Sequence, residues 1–117
     1  MVEIASEPIE PDICVVAVSG SADSAAGPQL REALDRALAA QGTRLIVDLT
    51  GATFLDSAML GMLAATHERD AADGGEPRMA VACPPGNVRT MFELTALDTL
   101  LTIRDSVEDA RGVLARK

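Results

Sequence analysis

The sequence has 117 residues, of which 48% are hydrophobic, and a formal net charge of -8. This length suits one domain spanning residues 1–117, and the hydrophobic content is too high for a disordered chain. The acidic balance, with only two aromatic residues, disfavours partners such as nucleic acid or an anionic membrane. The start lacks a basic, apolar leader, and no apolar run approaches the roughly 20 residues of a membrane span. We therefore expect a cytoplasmic protein.

Apolar, β-branched runs and helical apolar spacing alternate along the chain. The runs predict strands at 2–6, 13–18, 44–49, 78–83 and 100–104. The helical spacing predicts helices over 24–40, 57–72, 87–94 and 107–116. The intervening segments are predicted to be turns or loops: the proline-containing stretch 7–12, the small-residue stretch 19–28, the bridge 50–55, Gly42, and the stretch 73–77.

The predicted order, β-β-α-β-α-β-α-β-α, fixes the fold class. Strands that alternate with helices form a largely parallel sheet with crossover helices, whereas the first two strands can pair antiparallel. We therefore predict an α/β fold in which a small, mixed, mostly parallel sheet of about five strands is flanked by about four helices.

The residues needed for catalysis or metal binding are scarce. His67 is the only histidine, and no cysteine stands at ligand spacing from it, so we predict no metal site. Ser57 and His67 lie about 15 Å apart along one predicted helix, too far for a catalytic hydrogen bond. The chain has no phosphate-binding glycine motif. A response-receiver domain would need a lysine late in the chain, and the only lysine here is the terminal Lys117. We predict neither an enzyme nor a cofactor-binding protein.

The two cysteines, Cys14 and Cys83, both stand in apolar runs and have no CxxC spacing. Two buried thiols are the simplest interpretation, because a cytosolic protein rarely keeps a disulfide. A redox role would require the two residues to lie on neighbouring strands.

The segment 54–63, "FLDSAMLGML", places Asp56 and Ser57 where a strand-like run gives way to a helix. Asp and Ser are favoured helix N-caps, a role worth about 1 kcal/mol. A helix N-terminus also presents free N–H groups, which accommodate a phosphate on a serine. The pair can therefore be a cap, a phosphorylation site, or both.

Three segments together resemble the STAS domain of the stand-alone bacterial anti-sigma factor antagonists, also called anti-anti-sigma factors. They are 18–23, "VSGSAD", then 45–63, which contains the Asp-Ser pair, and 79–103. The resemblance implies the STAS fold and a role in transcription regulation and stress responses. In that role, the unphosphorylated protein binds an anti-sigma factor, which releases a sigma factor.

The resemblance also implies a switch. The anti-sigma factor is typically a serine kinase with a histidine-kinase-like ATPase fold, and a phosphatase resets the cycle. Ser57 then corresponds to the phospho-acceptor, Asp56 to its capping neighbour, and Asp23 to an acidic loop residue on the partner-binding face. The expected binding surface comprises Asp23, Asp56, Ser57, Ala58, Met59 and Leu60, on a monomer or weak dimer.

The sequence departs from the family pattern at three positions. Ala58 and Met59 stand where a hydroxyl residue and glycine are usual, and Ala96 stands where a later glycine is usual. Met59 is expected to place a long, adaptable apolar side chain where a partner approaches. The alternative function is a STAS module whose partner binding is constitutive or redox-controlled, without phosphorylation at Ser57.

Overall fold

The computed structural model describes residues 2–39, 43–72 and 78–114, apart from the side chains of residues 24 and 70–72. Its strands are β1 (Val2–Glu10), β2 (Ile13–Ala22), β3 (Arg44–Asp48), β4 (Ala52–Leu55), β5 (Met79–Ala82) and β6 (Ile103–Arg104). Its helices are α1 (Gly27–Leu38), α2 (Ser57–Ala72), α3 (Asn87–Leu94) and α4 (Val107–Leu114). No helix among these described residues is long and apolar enough to cross a membrane.

The sheet is mostly parallel, as the alternation of strands and helices predicts. Its strand order is β1-β2-β3-β5-β6, and β4 pairs with the end of β2 outside this path. Only β1 runs antiparallel to its neighbour, because a short turn joins it directly to β2. The other pairs of neighbouring strands are all parallel. The predicted α/β class and the antiparallel first pair are confirmed.

The two faces of the sheet are covered unequally. One face packs against α1, α2 and α3, and its core includes Leu34, Leu63 and Phe92 from those helices. The opposite face packs against α4, through Ala110 and Leu114. Alternate residues of β2 point into the two cores, so the sequence "ICVVAV" forms a strand with apolar side chains on both faces.

Three strands differ in extent from the prediction. β1 continues to Glu10 through Pro8, which an edge strand tolerates because a proline there need not donate to a second neighbour. β2 continues to Ala22 through the stretch predicted as a loop. This extension pairs with β4, which was predicted as a bridge, so the sheet has six strands where about five were predicted. β6 is shortened to two residues.

The helices begin and end close to the predicted positions. A 3-10 turn over Ser24–Ala26 precedes α1, whose predicted start at residue 24 was therefore too early. Ser106 caps α4, since its Oγ accepts a hydrogen bond from the Asp109 N–H at 3.1 Å. The predicted helix ends at Gly42, in 73–77 and in 115–116 lie outside the described residues.

A buried arginine binds three elements together at the amino-terminal end of β3. Arg44 is only 6% exposed. Its guanidinium donates to the Leu114 carbonyl at the end of α4 and forms an ion pair with Asp12, between β1 and β2. Arg111 of α4 also pairs with Glu10 of β1, at 3.4 Å. These contacts fasten α4 to the hairpin.

Candidate functional site at the start of α2

Asp56 is the N-cap of α2. Its Oδ1 accepts a hydrogen bond from the Met59 N–H at 3.0 Å, and its carbonyl accepts one from the Leu60 N–H at 3.1 Å. The side-chain bond satisfies one of the backbone donors that a helix N-terminus leaves free, and the carbonyl bond is the first regular hydrogen bond of the helix. Of the two residues considered as caps, Asp56 therefore does the capping.

Ser57 is the first residue of α2, and its side chain is exposed. Within the described part of the chain, its hydroxyl forms no hydrogen bond. Because Asp56 already provides the cap, Ser57 has no structural task of its own at this helix start. It presents a free hydroxyl beside the positive end of the helix dipole.

The chain brings Asp23 next to this site by pairing the end of β2 with β4. The Asp56 N–H donates to the Ala22 carbonyl at 3.2 Å, so Asp23 follows directly at the same edge. Asp23 is exposed, and its Oδ1 accepts a hydrogen bond from the Ala25 N–H at 3.0 Å. Two carboxylates thus flank the Ser57 region, and each accepts a hydrogen bond from a backbone N–H of its own turn.

The three residues that follow Ser57 have different exposures. Ala58 is exposed, whereas Met59 and Leu60 are 0% and 1% exposed and belong to the core. The expectation that Met59 projects from the first helical turn toward a partner was therefore wrong. In this helix Met59 lies one turn ahead of Leu63, which is also buried, so both side chains turn inward. The exposed surface at this site consists of Asp23, Ser57 and Ala58 around the half-buried Asp56.

Cys14 and Cys83 do not form a disulfide. The register aligns Cys14 of β2 with Leu45 of β3, and Leu45 with Met79 of β5. Cys83 therefore lies two strands away and four residues further along, about 16 Å from Cys14. A disulfide needs Cα atoms within about 7 Å. The condition set for a redox role, adjacent strands, is not met.

Cys83 is also a poor nucleophile. Its side chain is 1% exposed. Burial raises its pKa from the ordinary value of 9.0 to about 11, although the nearby Arg89 charge lowers it in part. The thiol therefore stays protonated near neutral pH, and the thiolate is the reactive form.

No group of three or more potential metal ligands occurs among residues 2–39, 43–72 and 78–114. His67 is buried on α2, at 7% exposure. Since Ser57 and His67 belong to the same helix, the predicted separation of about 15 Å holds.

A cleft beside Ser57 was missed by sequence reasoning. It lies between the starts of α1 and α2 and has a volume of about 310 Å³. Its lining residues are Gly27, Pro28, Arg31, Ala58, Met59 and Met62. Apolar spacing within each helix predicts which residues face the core, but two helices create a cleft only through their mutual packing. No feature of the sequence identified Arg31 as a residue of this cleft.

A STAS domain model matches residues 6–110, and the chain belongs to this family. A crystal structure of an anti-sigma factor antagonist from Mycobacterium paratuberculosis is 28% identical, with a TM-score of 0.85, covering 97% of this chain and 94% of that one.

Two further solved structures share the fold. A putative anti-sigma factor antagonist from Thermotoga maritima is 18% identical, with a TM-score of 0.82 and coverage of 97% and 95%. The phosphorylated form of the Bacillus cell fate determinant SpoIIAA is also 18% identical, with a TM-score of 0.71 and coverage of 97% and 100%. No curated protein sequence matches this chain significantly.

Proposed function

We propose that this STAS protein is an anti-sigma factor antagonist that is switched off by phosphorylation of Ser57. In its unphosphorylated form it binds an anti-sigma factor, and a sigma factor is released. The similarity to the Mycobacterium antagonist over 97% of the chain supports the general role. The observation that carries the switch is Ser57 itself, which is exposed, forms no hydrogen bond with any described residue, and lies at the start of a helix that Asp56 already caps.

The proposed partner is an anti-sigma factor with a histidine-kinase-like ATPase fold, which acts as the serine kinase. A phosphatase returns Ser57 to its free form. The antagonist itself performs no catalysis and needs no cofactor, and its work is done in the cytoplasm, where the transcription machinery is found. Asp23, Asp56, Ser57 and Ala58 form the contact surface, while Met59 and Leu60 support it from the core.

The chemistry of phosphoserine suits this switch. A phosphate adds about -1.5 to -2 charges at neutral pH. The N-terminus of α2 tolerates that charge, so the fold survives. Asp23 and Asp56 already make the surface acidic. Burying the enlarged charge against a partner is costly unless new cations meet it, and a loss of about 2.7 kcal/mol weakens binding about 100-fold.

A phosphorylation assay tests the proposal directly. The protein is incubated with ATP and with each anti-sigma kinase encoded by the same genome, and added phosphate is located by mass spectrometry. We expect one phosphate, at Ser57, and none in a Ser57→Ala variant. If no kinase phosphorylates Ser57 but one of them binds the protein, binding is constitutive and the switch is wrong.

Two variants test the role of charge. Ser57→Ala should bind the anti-sigma factor like the wild type, because it removes only a free hydroxyl. Ser57→Asp should remain folded but bind at least about 10-fold more weakly, since a carboxylate carries less charge than a phosphate. Isothermal titration calorimetry measures both affinities. Equal affinities for the two variants would exclude charge at this position as the switch.

A further inference from the structure

The cleft between α1 and α2 begins where the proposed binding surface ends. Ala58, next to Ser57, forms one side of it, and Pro28 lies on the other. The buried Met59 and the half-buried Met62 contribute its apolar lining. At about 310 Å³ the cleft is at the lower limit of ligand pockets, which suits a protruding side chain better than a cofactor.

Gly27 keeps this cleft open at the start of α1. A Cβ placed on Gly27 would lie 3.6 Å from the Met62 methyl group, in van der Waals contact. The absence of a side chain there leaves the space above Met62 unfilled. Methionine is flexible and polarizable, so the half-buried Met62 can adapt to the shape of an inserted apolar group.

Arg31 is the cationic residue of the cleft, and no carboxylate in the described part of the chain pairs with it. The two acidic residues near it on α1 are engaged elsewhere. Glu32 pairs with Arg36, and Asp35 pairs with Arg69 of α2 at 3.2 Å. Arg31 is therefore a positive charge beside an apolar cleft, unpaired among the described residues, on a protein with a net charge of -8.

We propose that this cleft anchors the anti-sigma factor. The partner inserts an apolar side chain between α1 and α2 and places a neighbouring carboxylate against Arg31. This inference rests on the proposed function and specifies the chemistry of its partner. Buried apolar anchors in pockets carry much of the energy of protein interfaces, and complementary charges select the correct partner. A uniformly basic partner surface would suit Asp23 and Asp56 but would leave Arg31 opposed by like charge.

The anchor also explains how one phosphate could weaken the whole interface with the anti-sigma factor. Ser57 precedes Ala58, so a phosphate on Ser57 is introduced beside the cleft. The carboxylate that pairs with Arg31 would approach this new negative charge. Repulsion would then weaken the anchor without any change of fold.

Binding measurements with matched variants test the anchor. Arg31→Glu reverses the charge at the cleft, and Arg36→Glu makes the same change on the same helix outside the cleft. Ala58→Trp fills the cleft from an exposed position, and Ala65→Trp adds the same bulk at another exposed position of α2. We expect the two cleft variants to bind the anti-sigma factor at least about 10-fold more weakly and the two controls to bind within about 2-fold of wild type.

A second measurement observes the cleft directly. With ¹³C-labelled methionine methyl groups, addition of the anti-sigma factor should shift the signal of Met62, while Met79, which is 1% exposed within the sheet, serves as the unshifted control. Thermal unfolding of each variant verifies that it is folded.

The possible results separate the anchor from the function on which it rests. If wild-type protein binds an anti-sigma factor while Arg31→Glu and Ala58→Trp bind equally well, the anchor is wrong and the proposed function stands. If wild-type protein binds none, the proposed function fails and the anchor with it. If the cleft variants instead convert a wild-type dimer to a monomer in sedimentation, a second copy of this chain occupies the cleft and the anchor is overturned.

Discussion

The surroundings of Arg44 and of Ser57 use polar side chains in opposite ways. Arg44 makes contacts across the chain, with Leu114, which is 70 residues away, and with Asp12, which is 32 residues away. Near Ser57, the side-chain hydrogen bonds of Asp23 and Asp56 reach only two and three residues along the chain. One region fastens distant elements together, whereas the other stabilises its own turns and leaves its outer surface free.

Because of this difference, the contacts of Arg44 serve the stability of the fold, whereas the surface near Ser57 is available for recognition. A partner can cover Ser57, Ala58 and Asp23 without breaking a long-range contact of either carboxylate. Removal of Arg44, by contrast, breaks its long-range bonds to the end of α4 and to Asp12, between β1 and β2. Changes near Arg44 should therefore act mainly on the free energy of unfolding, and changes near Ser57 mainly on binding.

The largest expected effect is that of Arg44→Ala. It removes a buried guanidinium that bonds a helix-terminal carbonyl and a carboxylate, and hydrogen bonds of charged groups contribute about 1.5–3 kcal/mol each. We expect the free energy of unfolding in urea to fall by about 3 kcal/mol. The exposed pair formed by Arg36 supplies the control, and Arg36→Ala should change stability by less than about 0.5 kcal/mol. Equal losses in the two variants would contradict the long-range role of Arg44.

Cys83 gives the next largest effect, at alkaline pH. Its folded pKa of about 11 exceeds the ordinary value of 9.0, so the unfolded thiol loses its proton first as the pH rises. Stability that is complete below pH 9 should therefore decline between pH 9 and 11, by up to about 2 kcal/mol. The sequence has no tyrosine and Lys117 is its only lysine, so few other groups titrate there.

Urea unfolding of the wild type and of Cys83→Ala at pH 8 and pH 10.5, under a reductant, measures this contribution. The variant should lose less stability than the wild type over that interval. A parallel decline in both would mean that burial of the Cys83 thiol does not govern alkaline stability.

Asp56→Ala should have a moderate effect. It removes the cap bond to the Met59 N–H, and the loss of an N-cap costs about 1 kcal/mol of stability. Ser57→Ala is the matched control at the next position and should change the unfolding free energy by less than about 0.5 kcal/mol, because Asp56 does the capping. A larger loss from Ser57→Ala than from Asp56→Ala would show that the serine has a structural task after all.

Ala96→Gly should give the smallest change, and in the opposite direction. Ala96 has a φ of 62°, in the left-handed region that costs about 1 kcal/mol for a residue with a Cβ. Glycine relieves that cost but gains freedom in the unfolded chain, so we expect a stabilisation of about 0.5 kcal/mol. Ala65→Gly, in the interior of α2, should instead destabilise by about 1 kcal/mol. Thermal unfolding midpoints of the two variants should move in opposite directions.

Much of the fold could be predicted from local patterns. Buried parallel strands such as β3 and β5 consist of continuous apolar residues, and helices such as α1 carry an apolar stripe, so each has a distinct signature. β4 has no such signature, since two of its four residues are exposed. It forms a strand because it pairs with the end of β2, and this tertiary contact cannot be read from the local sequence.

Apolar periodicity and capping preferences act over a few neighbouring residues, so they predict the alternation of strands and helices and the position of Asp56 and Ser57 at a helix start. The three-dimensional packing shows in addition that Asp56 is the cap, that Met59 turns into the core, and that the two cysteines lie about 16 Å apart. The packing of α1 against α2 placed Arg31 and an apolar cleft beside Ser57. These properties depend on which surfaces meet in space, and residues distant in sequence decide that.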